Sequence, residues 1–400
     1  MSAHAPTRDV VVVGGCGHVG LPLAIALADQ GLNVAVYDLS DSAVKLVNDG
    51  NMPFQEAGAE VALRGAIAAG RFLATTDPAV VATAESVIVV IGTPVDEHLN
   101  PDPNTLPHAL SACNEYFRDG QLVVLRSTVY PGVTALIEKR LGELGLDVDV
   151  AFCPERILEG HAMVELYSLP QIIGTRTERA RDRASALFGT LTSKLVHVDP
   201  EEAELAKLFT NVWRYIKFAA VNQFYMIANS QGLDFERIRT AISQDYERAA
   251  DMPRAGFAAG PCLFKDTMQL GAFNDNNFAL GHAAMLVNEG LPLYIVSRLE
   301  AAYDLSTMTV GILGMAFKGG SDDIRSSLSY KIKRILTFKA KRVLTSDPHV
   351  SVDPDLVPLD QVIAEADIYI LATPHAEYRE LKLTKPVADI WDVYGNGVVI

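Results

Sequence analysis

Residues 9–38 read DVVVVGGCGHVGLPLAIALADQGLNVAVYD and predict the start of a nucleotide-binding fold. A run of valines leads into Gly15, Gly17 and Gly20, and an apolar helical pattern follows. This GxGxxG spacing permits a tight turn, close approach of the backbone to a pyrophosphate, and close packing of helix on strand. A second apolar strand ends at Asp38, where a carboxylate can hydrogen-bond the 2′-hydroxyl of a ribose.

The residues around this turn indicate which nucleotide it binds. Leu39 follows Asp38 where an NADP site tends to place an arginine, so the pattern favours NAD. His18 and Val19 complete the predicted cofactor loop. A glycine turn that binds no nucleotide is the alternative on this stretch alone.

Polar side chains follow later apolar runs. Three such runs predict further strands of the same sheet: residues 86–92, 122–125 and 148–152. Thr93, Thr128 and the acids Glu155 and Glu159 come soon after them. Because ligands bind at the carboxyl edge of a parallel sheet, these residues are candidates for binding and proton transfer. Surface acids are the alternative for the two glutamates.

Residues 201–232, EEAELAKLFTNVWRYIKFAAVNQFYMIANSQG, predict one long helix. They contain no proline, and their only glycine is the last residue. Glu204, Lys207 and Asn211 are spaced to lie on one helical face. A solvated stripe is the alternative, but the apolar neighbours lead us to expect that part of this polar set is buried.

Residues 251–271, DMPRAGFAAGPCLFKDTMQLG, present a cysteine in a distinctive setting. Gly260 and the proline after it predict a turn that holds Cys262 in a fixed position. Lys265 and Asp266 follow directly, and a nearby lysine favours the reactive thiolate. A buried packing cysteine is the alternative.

The last hundred residues repeat the pattern of the first. Three apolar runs resemble the N-terminal strands: residues 308–313, 342–347 and 367–374. The loop at residues 314–325, GMAFKGGSDDIR, replaces the glycine turn and carries Lys318 and Arg325, which can meet phosphates. A basic surface loop without a ligand is the alternative.

We therefore predict an α/β protein with two Rossmann-like, doubly wound parallel-sheet domains. A long central helix and a helical middle domain join them. The predicted boundaries are residues 1–200 for NAD binding, 201–300 for the helical domain that carries Cys262, and 301–400 for the second Rossmann-like domain. Such an arrangement predicts a ligand cleft between the two sheet domains.

Composition excludes several classes of protein. The 400 residues carry a net charge of −15, which argues against nucleic acid or an anionic membrane as main partners. No apolar run approaches the roughly 18 residues of a membrane span. The four cysteines lack the spacing of metal ligands, so we predict no metal site, and Cys16 is expected to be a spectator. A reduced, cytoplasmic protein is the simplest interpretation.

Six motifs together resemble those of the UDP-glucose/GDP-mannose dehydrogenase family: GGCGHVG, STVYPG, CPERILEG, ELAKLFTN, AGPCLFKD and GMAFKGGSDDIR. They follow the family's order and cover nearly the whole chain. The resemblance implies oxidation of the C6 alcohol of a nucleotide-sugar to a carboxylate, with two NAD and one water. It also implies a homodimer built on the long central helix, and a product used in polysaccharide synthesis.

The resemblance also implies chemical roles. Cys262 is the implied nucleophile, whose thiolate traps the C6 aldehyde as a thiohemiacetal that then loses a second hydride to become a thioester. Lys207 stabilises negative charge on the C6 oxygen, and Asn211 hydrogen-bonds the same oxygen. Asp266 orients or deprotonates a water.

Further contacts are implied in the same way. Thr128 and Glu155 place the hydrolytic water and take its proton. The implied contacts to the nucleotide-sugar are Glu155, Glu159, Lys207, Asn211, Gly260, Lys318 and, from a neighbouring subunit, Arg248. The implied contacts to NAD are Gly15, Gly17, His18, Val19, Asp38, Thr93, Thr128 and Arg325.

The substrate signals are mixed. CLFKD is similar to the glucose and mannose enzymes, whereas CPERILEG and residues 287–292 are similar to enzymes of UDP-N-acetylhexosamines. We expect UDP-glucose, because Lys265 lies beside the nucleophile; UDP-ManNAc, UDP-GlcNAc and GDP-mannose are alternatives. A two-electron dehydrogenase of the 3-hydroxyacid type gives no role to Cys262. A non-catalytic NAD-binding regulator is the alternative from another class.

Overall fold

The computed structural model describes residues 7–93, residue 102 and residues 104–395. The chain divides into two compact units, residues 1–210 and 211–400, here called the N-terminal and C-terminal units. Each unit has its own sheet and hydrophobic core.

In the described part of the N-terminal unit, eight strands form one sheet in the order β3-β2-β1-β4-β5-β6-β7-β8. The strands are β1 (Arg8–Val13), β2 (Val34–Tyr37), β3 (Phe72–Thr75), β4 (Ala84–Val89), β5 (Leu122–Leu125), β6 (Asp149–Phe152), β7 (Gln171–Thr175) and β8 (Leu195–Val198). The helices are α1 (Gly20–Asp29), α2 (Asp41–Asn48), α3 (Ala59–Ala68), α4 (Thr105–Ser111), α5 (Val133–Glu143), α6 (Ala162–Ser168) and α7 (Glu178–Gly189). Helix α8 (Pro200–Ser230) starts here and continues past the unit boundary.

Strand β1 lies at the centre of this sheet, between β2 and β4, and is parallel to both. Its valines are almost completely buried, which accounts for the unbroken apolar run, since parallel strands are covered on both faces. The strand order reverses beside β1, and this switch point is where such sheets bind ligands.

The sheet departs from the predicted parallel arrangement at one place. Among the described strands, β6 and β7 are antiparallel neighbours, and the other pairs are parallel. The connection through residues 153–170 therefore starts and finishes at the same edge of the sheet. This edge is the carboxyl end of β6, so the whole CPERILEG segment lies there.

Over residues 211–395, four parallel strands form a second sheet in the order β10-β9-β11-β12. They are β9 (Thr309–Leu313), β10 (Arg342–Ser346), β11 (Ile368–Leu371) and β12 (Val387–Asp389). The remaining helices are α9 (Phe235–Ser243), α10 (Leu263–Phe273), α11 (Ala279–Ala302), α12 (Leu328–Thr337) and α13 (Leu359–Glu365). The order matches β2-β1-β4-β5 of the first sheet, so the predicted repeat is confirmed.

Helix α8 confirms the predicted long helix. Pro200 is its first residue, a position that needs no backbone N–H donor, and Gly232 just beyond its end has a φ of +68°. Glu204 and Asn211 are only 1% and 5% exposed, as the apolar surroundings predicted. Lys207 is partly exposed.

The carboxylate of Glu204 caps helix α5. It accepts hydrogen bonds from the backbone N–H groups of Gly132 (2.6 Å) and Thr134 (2.8 Å) and from the hydroxyl of Thr134. These amides have no partner within their own helix, and a carboxylate favours the positive end of the helix dipole. The cap therefore holds the STVYPG segment at the start of α5.

We expect Glu204→Gln to change the pH dependence of stability. Burial raises the pKa of Glu204 above its ordinary 4.5, although hydrogen bonds from Thr134 and Gly132 oppose this. A raised pKa in the folded state means that the free energy of unfolding falls as the pH rises through that pKa. The deficit of the variant relative to wild type, about 1 kcal/mol in acid, should shrink at higher pH. Urea unfolding at several pH values measures the free energy of unfolding of wild type and variant. A difference between the two that is the same at every pH would contradict this prediction. So would an equal pH-dependent difference in the exposed control Glu202→Gln.

Candidate active site

The glycine turn after β1 leaves room for a ligand at one position. At Gly14, with φ +73°, a Cβ would lie 2.2 Å from the carbonyl oxygen of Val90. At Gly20 a Cβ would lie 2.7 Å from the Cα of Gly15, so that glycine permits helix–strand packing. A Cβ at Gly17 would meet no atom within 4 Å, which fits the point where a pyrophosphate approaches the backbone.

Asp38 lies at the end of β2, at the place predicted for the ribose ligand. Its carboxylate accepts hydrogen bonds from the N–H groups of Cys16 (3.0 Å) and Ser40 (3.1 Å), one on each oxygen. A carboxylate has about four lone-pair sites, so this group can also accept from ribose hydroxyls. Burial, assisted by the charge of Asp38, raises the pKa of Cys16 to about 12, so its thiol stays protonated at neutral pH.

The structure brings a predicted cofactor residue and a predicted substrate residue together. Nε2 of His18, in the glycine turn, lies 2.8 Å from Oε1 of Glu159. The His18 ring stacks on Phe54 with ring centroids 4.0 Å apart. The turn after β1 and the loop after β6 are therefore linked side chain to side chain.

Glu56 holds the far end of the loop after β6. It is 8% exposed, and its carboxylate accepts hydrogen bonds from the N–H groups of Gly160 (2.9 Å) and Ala162 (2.8 Å). The sequence did not indicate that Glu56 supports this loop, because a single acid in a loop is usually exposed to solvent. Its position at the start of α6 accounts for its burial.

Glu155 is surrounded by hydrogen-bond donors. One oxygen accepts from the guanidinium of Arg126, and the other accepts from the N–H groups of Arg156 (2.7 Å) and Ile157 (2.9 Å). Glu155 is 7% exposed. Its carboxylate is thus held at one position beside the carboxyl ends of β5 and β6.

Arg126 holds Glu155 and is a supporting residue that the sequence pattern did not indicate. It is 2% exposed, and its Nη1 donates to the carbonyl of Cys153 (3.1 Å) and to Oε1 of Gln171 (2.9 Å). The guanidinium also lies over the ring of Phe188, 5.1 Å from its centroid. The position of Arg126 directly after an apolar strand could have indicated a buried ion pair, since a buried arginine requires a buried acid.

The ends of β4 and β5 are also tied together. The hydroxyl of Thr93 donates to the backbone carbonyl of Thr128, and the hydroxyl of Ser127 accepts from the N–H of Ile91 at 2.7 Å. The two predicted cofactor threonines are therefore adjacent, at the carboxyl ends of β4 and β5.

In the C-terminal unit, Asn211 and Asp266 form a buried pair. Nδ2 of Asn211 donates to Oδ2 of Asp266 at 2.6 Å, and Nζ of Lys265 lies 3.2 Å from the other carboxylate oxygen. Asp266 is 0% exposed. Its carboxylate therefore orients the asparagine amide and balances the charge of the lysine.

Cys262 is the N-cap residue of α10, and its side chain is exposed. The N-terminus of a helix is a setting in which proteins stabilise thiolates. The other cysteines are buried, and burial raises the pKa of Cys153 to about 12 and that of Cys113 to about 11. Exposure and helix position thus set Cys262 apart.

The turn that carries Cys262 packs on the loop at residues 314–325. Gly260 has φ +100°, and a Cβ there would lie 2.7 Å from the ring of Phe317. Its N–H also hydrogen-bonds the carbonyl of Ser326 at 3.4 Å. Lys318 is next to Phe317 in sequence, and its Nζ lies 5.5 Å from the centroid of that ring.

A cavity of about 520 Å³ lies beside this contact. Gly260 and Phe264, on either side of Cys262 in sequence, form part of its wall, together with Ser326 and the first turns of α12.

The two arginines that the sequence predicted as ligand contacts lie near the surface. Arg325 pairs with Asp323 (2.5 Å), and Arg248 is exposed in a short turn after α9.

A glycine turn after the first strand and an acid after the second, together with a second Rossmann-like sheet, are typical of nucleotide-binding enzymes. The chain belongs to the UDP-glucose/GDP-mannose dehydrogenase family. It matches that family's NAD binding domain over residues 9–192, its central domain over residues 201–289 and its UDP binding domain over residues 311–396.

Similar proteins are known from archaea and bacteria. A UDP-N-acetyl-D-mannosamine dehydrogenase of Pyrococcus horikoshii is 29% identical and covers 93% of this chain and 90% of its own. An NDP-N-acetyl-D-galactosaminuronic acid dehydrogenase of Ralstonia solanacearum is 28% identical, with 94% and 92% covered. The structure of a UDP-glucose dehydrogenase from Pyrobaculum islandicum superposes with a TM-score of 0.92 at 28% identity, covering 100% of this chain and 97% of its own.

The protein is accordingly an NAD-dependent nucleotide-sugar dehydrogenase. The open Gly17 and the available lone pairs of Asp38 fit the predicted cofactor. In the part of the chain that the structure describes, every helix is too short or too polar to span a lipid bilayer.

Alanine substitutions at two glycines of the turn should affect different properties, the binding of NAD in one case and stability in the other. Gly17→Ala should leave stability nearly unchanged and raise the KM for NAD, because the added methyl enters the space of the pyrophosphate. Gly20→Ala should lower the free energy of unfolding by about 1–3 kcal/mol, because its Cβ overlaps Gly15.

Urea unfolding and NAD kinetics on both variants test this pair. Each variant is the control for the other, since both add one methyl group to the same turn. Loss of stability in Gly17→Ala with unchanged NAD affinity would contradict the assignment of the pyrophosphate to this position.

Proposed function

We propose that the protein oxidises the C6 hydroxyl of a UDP-sugar to a carboxylate through a covalent intermediate on Cys262. The observation that carries the proposal is the exposed Cys262 at the start of α10, one turn before the buried Asp266. NAD, when bound, accepts the hydride in each of two oxidation steps. An alcohol cannot reach the acid by hydride loss alone, because the aldehyde has to gain an oxygen.

Asn211 and Lys207 act at the C6 oxygen in the first step. The amide nitrogen of Asn211 has two hydrogens, and one is used by Asp266. The second hydrogen is available to the substrate oxygen, and the buried acid fixes its direction. The ammonium group of Lys207 stabilises the negative charge that develops as the hydroxyl proton and the C6 hydride leave.

Cys262 supplies the covalent step. Its thiolate adds to the aldehyde carbon, and the carbonyl oxygen takes a proton from water to become the thiohemiacetal hydroxyl. Loss of the second hydride to NAD and of the hydroxyl proton to water leaves a thioester. Water then attacks the thioester carbon, Glu155 takes a proton from that water, and the Cys262 thiolate leaves. Hydrogen bonds from Arg126 and two backbone amides keep Glu155 in place for this role.

Two substrates are supported by different observations. The curated relatives from Pyrococcus horikoshii and Ralstonia solanacearum are named for N-acetylated sugars, as the CPERILEG segment and residues 287–292 also suggest. We therefore place UDP-N-acetyl-D-mannosamine first. UDP-glucose, expected from Lys265, is second and is supported by the similarity to the Pyrobaculum islandicum enzyme.

NADH yield against a limiting nucleotide-sugar tests the reaction. The panel consists of UDP-ManNAc, UDP-GlcNAc, UDP-glucose, UDP-galactose and GDP-mannose. We expect two NADH per sugar with one donor, and loss of net turnover in Cys262→Ala, while the buried-cysteine control Cys113→Ala retains the same yield. One NADH per sugar with release of aldehyde would contradict the covalent mechanism, and silence across the panel would exclude these substrates.

We also propose a homodimer through α8, with three functional parts at residues 1–200, 201–300 and 301–400. Trp213, Phe224 and Ile227 are 57%, 50% and 56% exposed, and their spacing places them on one face of α8. Large apolar side chains in such a row are typical of a protein interface. Arg248 is the residue that each subunit offers to its neighbour's site.

Trp213→Glu should convert the dimer to a monomer, because it places a charge at the most exposed of these apolar side chains. Light scattering during gel filtration measures the molar mass. The control is Arg237→Glu, an exposed charge change on α9. A wild-type mass of one chain, or a Trp213→Glu mass equal to that of wild type, would refute this interface.

A further inference from the structure

Residues 314–325, here called the substrate loop, connect β9 towards α12 and carry Lys318. The loop approaches the segment after β11 very closely. A Cβ at Gly314 would lie 2.4 Å from that of Thr373, and a Cβ at Gly319 would lie 2.6 Å from the carbonyl oxygen of Pro374. These close approaches therefore restrict the backbone position at both Gly314 and Gly319.

Asp347 binds the start of this loop from the end of β10. Its side chain is 0% exposed. One oxygen accepts from the N–H groups of Met315 (2.6 Å) and Ala316 (2.9 Å), and the other from those of His349 (2.8 Å) and Val350 (3.1 Å). Asp347 thus connects the start of the substrate loop to the turn at residues 347–350.

His375 extends this connection to the second half of the loop. Its side chain is 0% exposed, its Nε2 lies 3.0 Å from Oδ2 of Asp347, and its Nδ1 accepts from the N–H of Gly320 at 3.1 Å. A backbone N–H can only donate, so Nδ1 is the acceptor nitrogen and Nε2 carries the hydrogen. One neutral imidazole therefore links Asp347 to a residue two positions beyond Lys318.

Asp347 occupies the place in the second sheet that Asp38 occupies in the first, since each follows the strand beside the central one. Asp38 is half-buried and accepts from two backbone amides. Asp347 accepts from four amides and an imidazole, which exceeds the roughly four lone-pair sites of a carboxylate. This second acid is therefore occupied by the protein and is not placed to bind a ribose.

The charge state of Asp347 suits this task. Burial acts to raise its pKa, but hydrogen bonds from His375 and from the backbone outweigh it, so the pKa lies well below the ordinary value. The carboxylate remains ionised at neutral pH and can accept from every donor around it.

A metal site is the competing interpretation of this region. His349, His375 and Glu377 place ligand atoms within 4.8 Å of one another. Both ring nitrogens of His375 are engaged, with Asp347 and with Gly320, and the Nε2 of His349 lies 3.1 Å from Glu377. His375 has no lone pair for a metal, which leaves two ligands where a zinc site requires three or four.

We propose that the Asp347–His375 pair positions the substrate loop so that Lys318 meets the nucleotide end of the substrate. This inference rests on the proposed function for the identity of that substrate. The imidazole transmits the fixed position of Asp347 to Gly320, and the two hydrogen bonds of His375 have separate tasks. The hydrogen bond to Gly320 fixes the position of the loop, and the hydrogen bond to Asp347 fixes the orientation of the imidazole.

Two substitutions at His375 separate these bonds. The side-chain oxygen of Asn occupies the position of Nδ1, so His375→Asn keeps an acceptor for Gly320. The side-chain nitrogen of Gln occupies the position of Nε2, so His375→Gln keeps the donor to Asp347 and loses the acceptor. Tyr378→Phe is the matched control, because that buried residue packs on the His375 ring, its hydroxyl donates to the carbonyl of Ser346, and its loss leaves both hydrogen bonds of His375 in place.

Amide hydrogen exchange of residues 314–325 in the full-length protein is the first measurement. We expect wild-type exchange in Tyr378→Phe, faster exchange in His375→Asn, which loses the bond to Asp347, and the fastest exchange in His375→Gln, which loses the bond to Gly320. We further expect the KM for the nucleotide-sugar and the Kd for UDP to rise about tenfold in His375→Gln, as for loss of one hydrogen bond. The kcat and the KM for NAD should stay within about twofold of wild type.

The possible results separate this inference from the proposed function. Equal exchange in all three variants, or equal KM changes in His375→Asn and His375→Gln, would overturn the positioning role. Wild-type protein that binds no UDP would also overturn it. UDP binding that follows the expected order in a protein inactive on every sugar of the panel would support the positioning role and refute the proposed reaction. If His375→Gln does not fold, Asp347→Asn replaces it with nearly unchanged side-chain volume; faster exchange of residues 314–325 and a higher Kd for UDP are expected, and wild-type values of both would overturn the positioning role.

Discussion

Hydrogen bonds from backbone amides to buried carboxylates hold the functional loops of both units. Glu204 accepts from the start of α5, Glu56 from the start of α6, and Asp347 from the loop after β9. Each loop leaves a strand at the carboxyl edge of a sheet, where its amides have no strand partner. A buried carboxylate satisfies two or more such donors at once, and losing it would leave them unpaired.

This arrangement has a consequence for the chemistry of the site. A dehydrogenase must place the donor carbon close to the cofactor, and small displacements reduce the rate strongly. Loops fixed at several amides by one rigid acceptor meet this requirement better than loops held by flexible side chains. Glu155, the proposed proton acceptor, is held in the same way, because Arg126 and two backbone amides bind its carboxylate.

Much of the fold and part of the site followed from local patterns. The glycine turn, the long helix and the repeat of the βαβ unit could be predicted, because hydrophobic period and glycine spacing are local properties. Glu56, Arg126 and His375 could not be recognised as supporting residues. Their roles depend on contacts with partners 27 to 106 residues away along the chain, such as Arg126 with Cys153 and Glu56 with Ala162.

The sequence by itself determined that the chain has two Rossmann-like folds, an acid, Asp38, after the second strand and a cysteine before a helix, because motif spacing records backbone geometry directly. Only the tertiary structure decided which residues of the same chemical type do different work. Asp38 and Asp347 both end a strand beside a central strand, yet only Asp38 keeps lone pairs for a ligand. The physical reason is that the number of donors around a carboxylate depends on how distant segments pack, which no local pattern encodes.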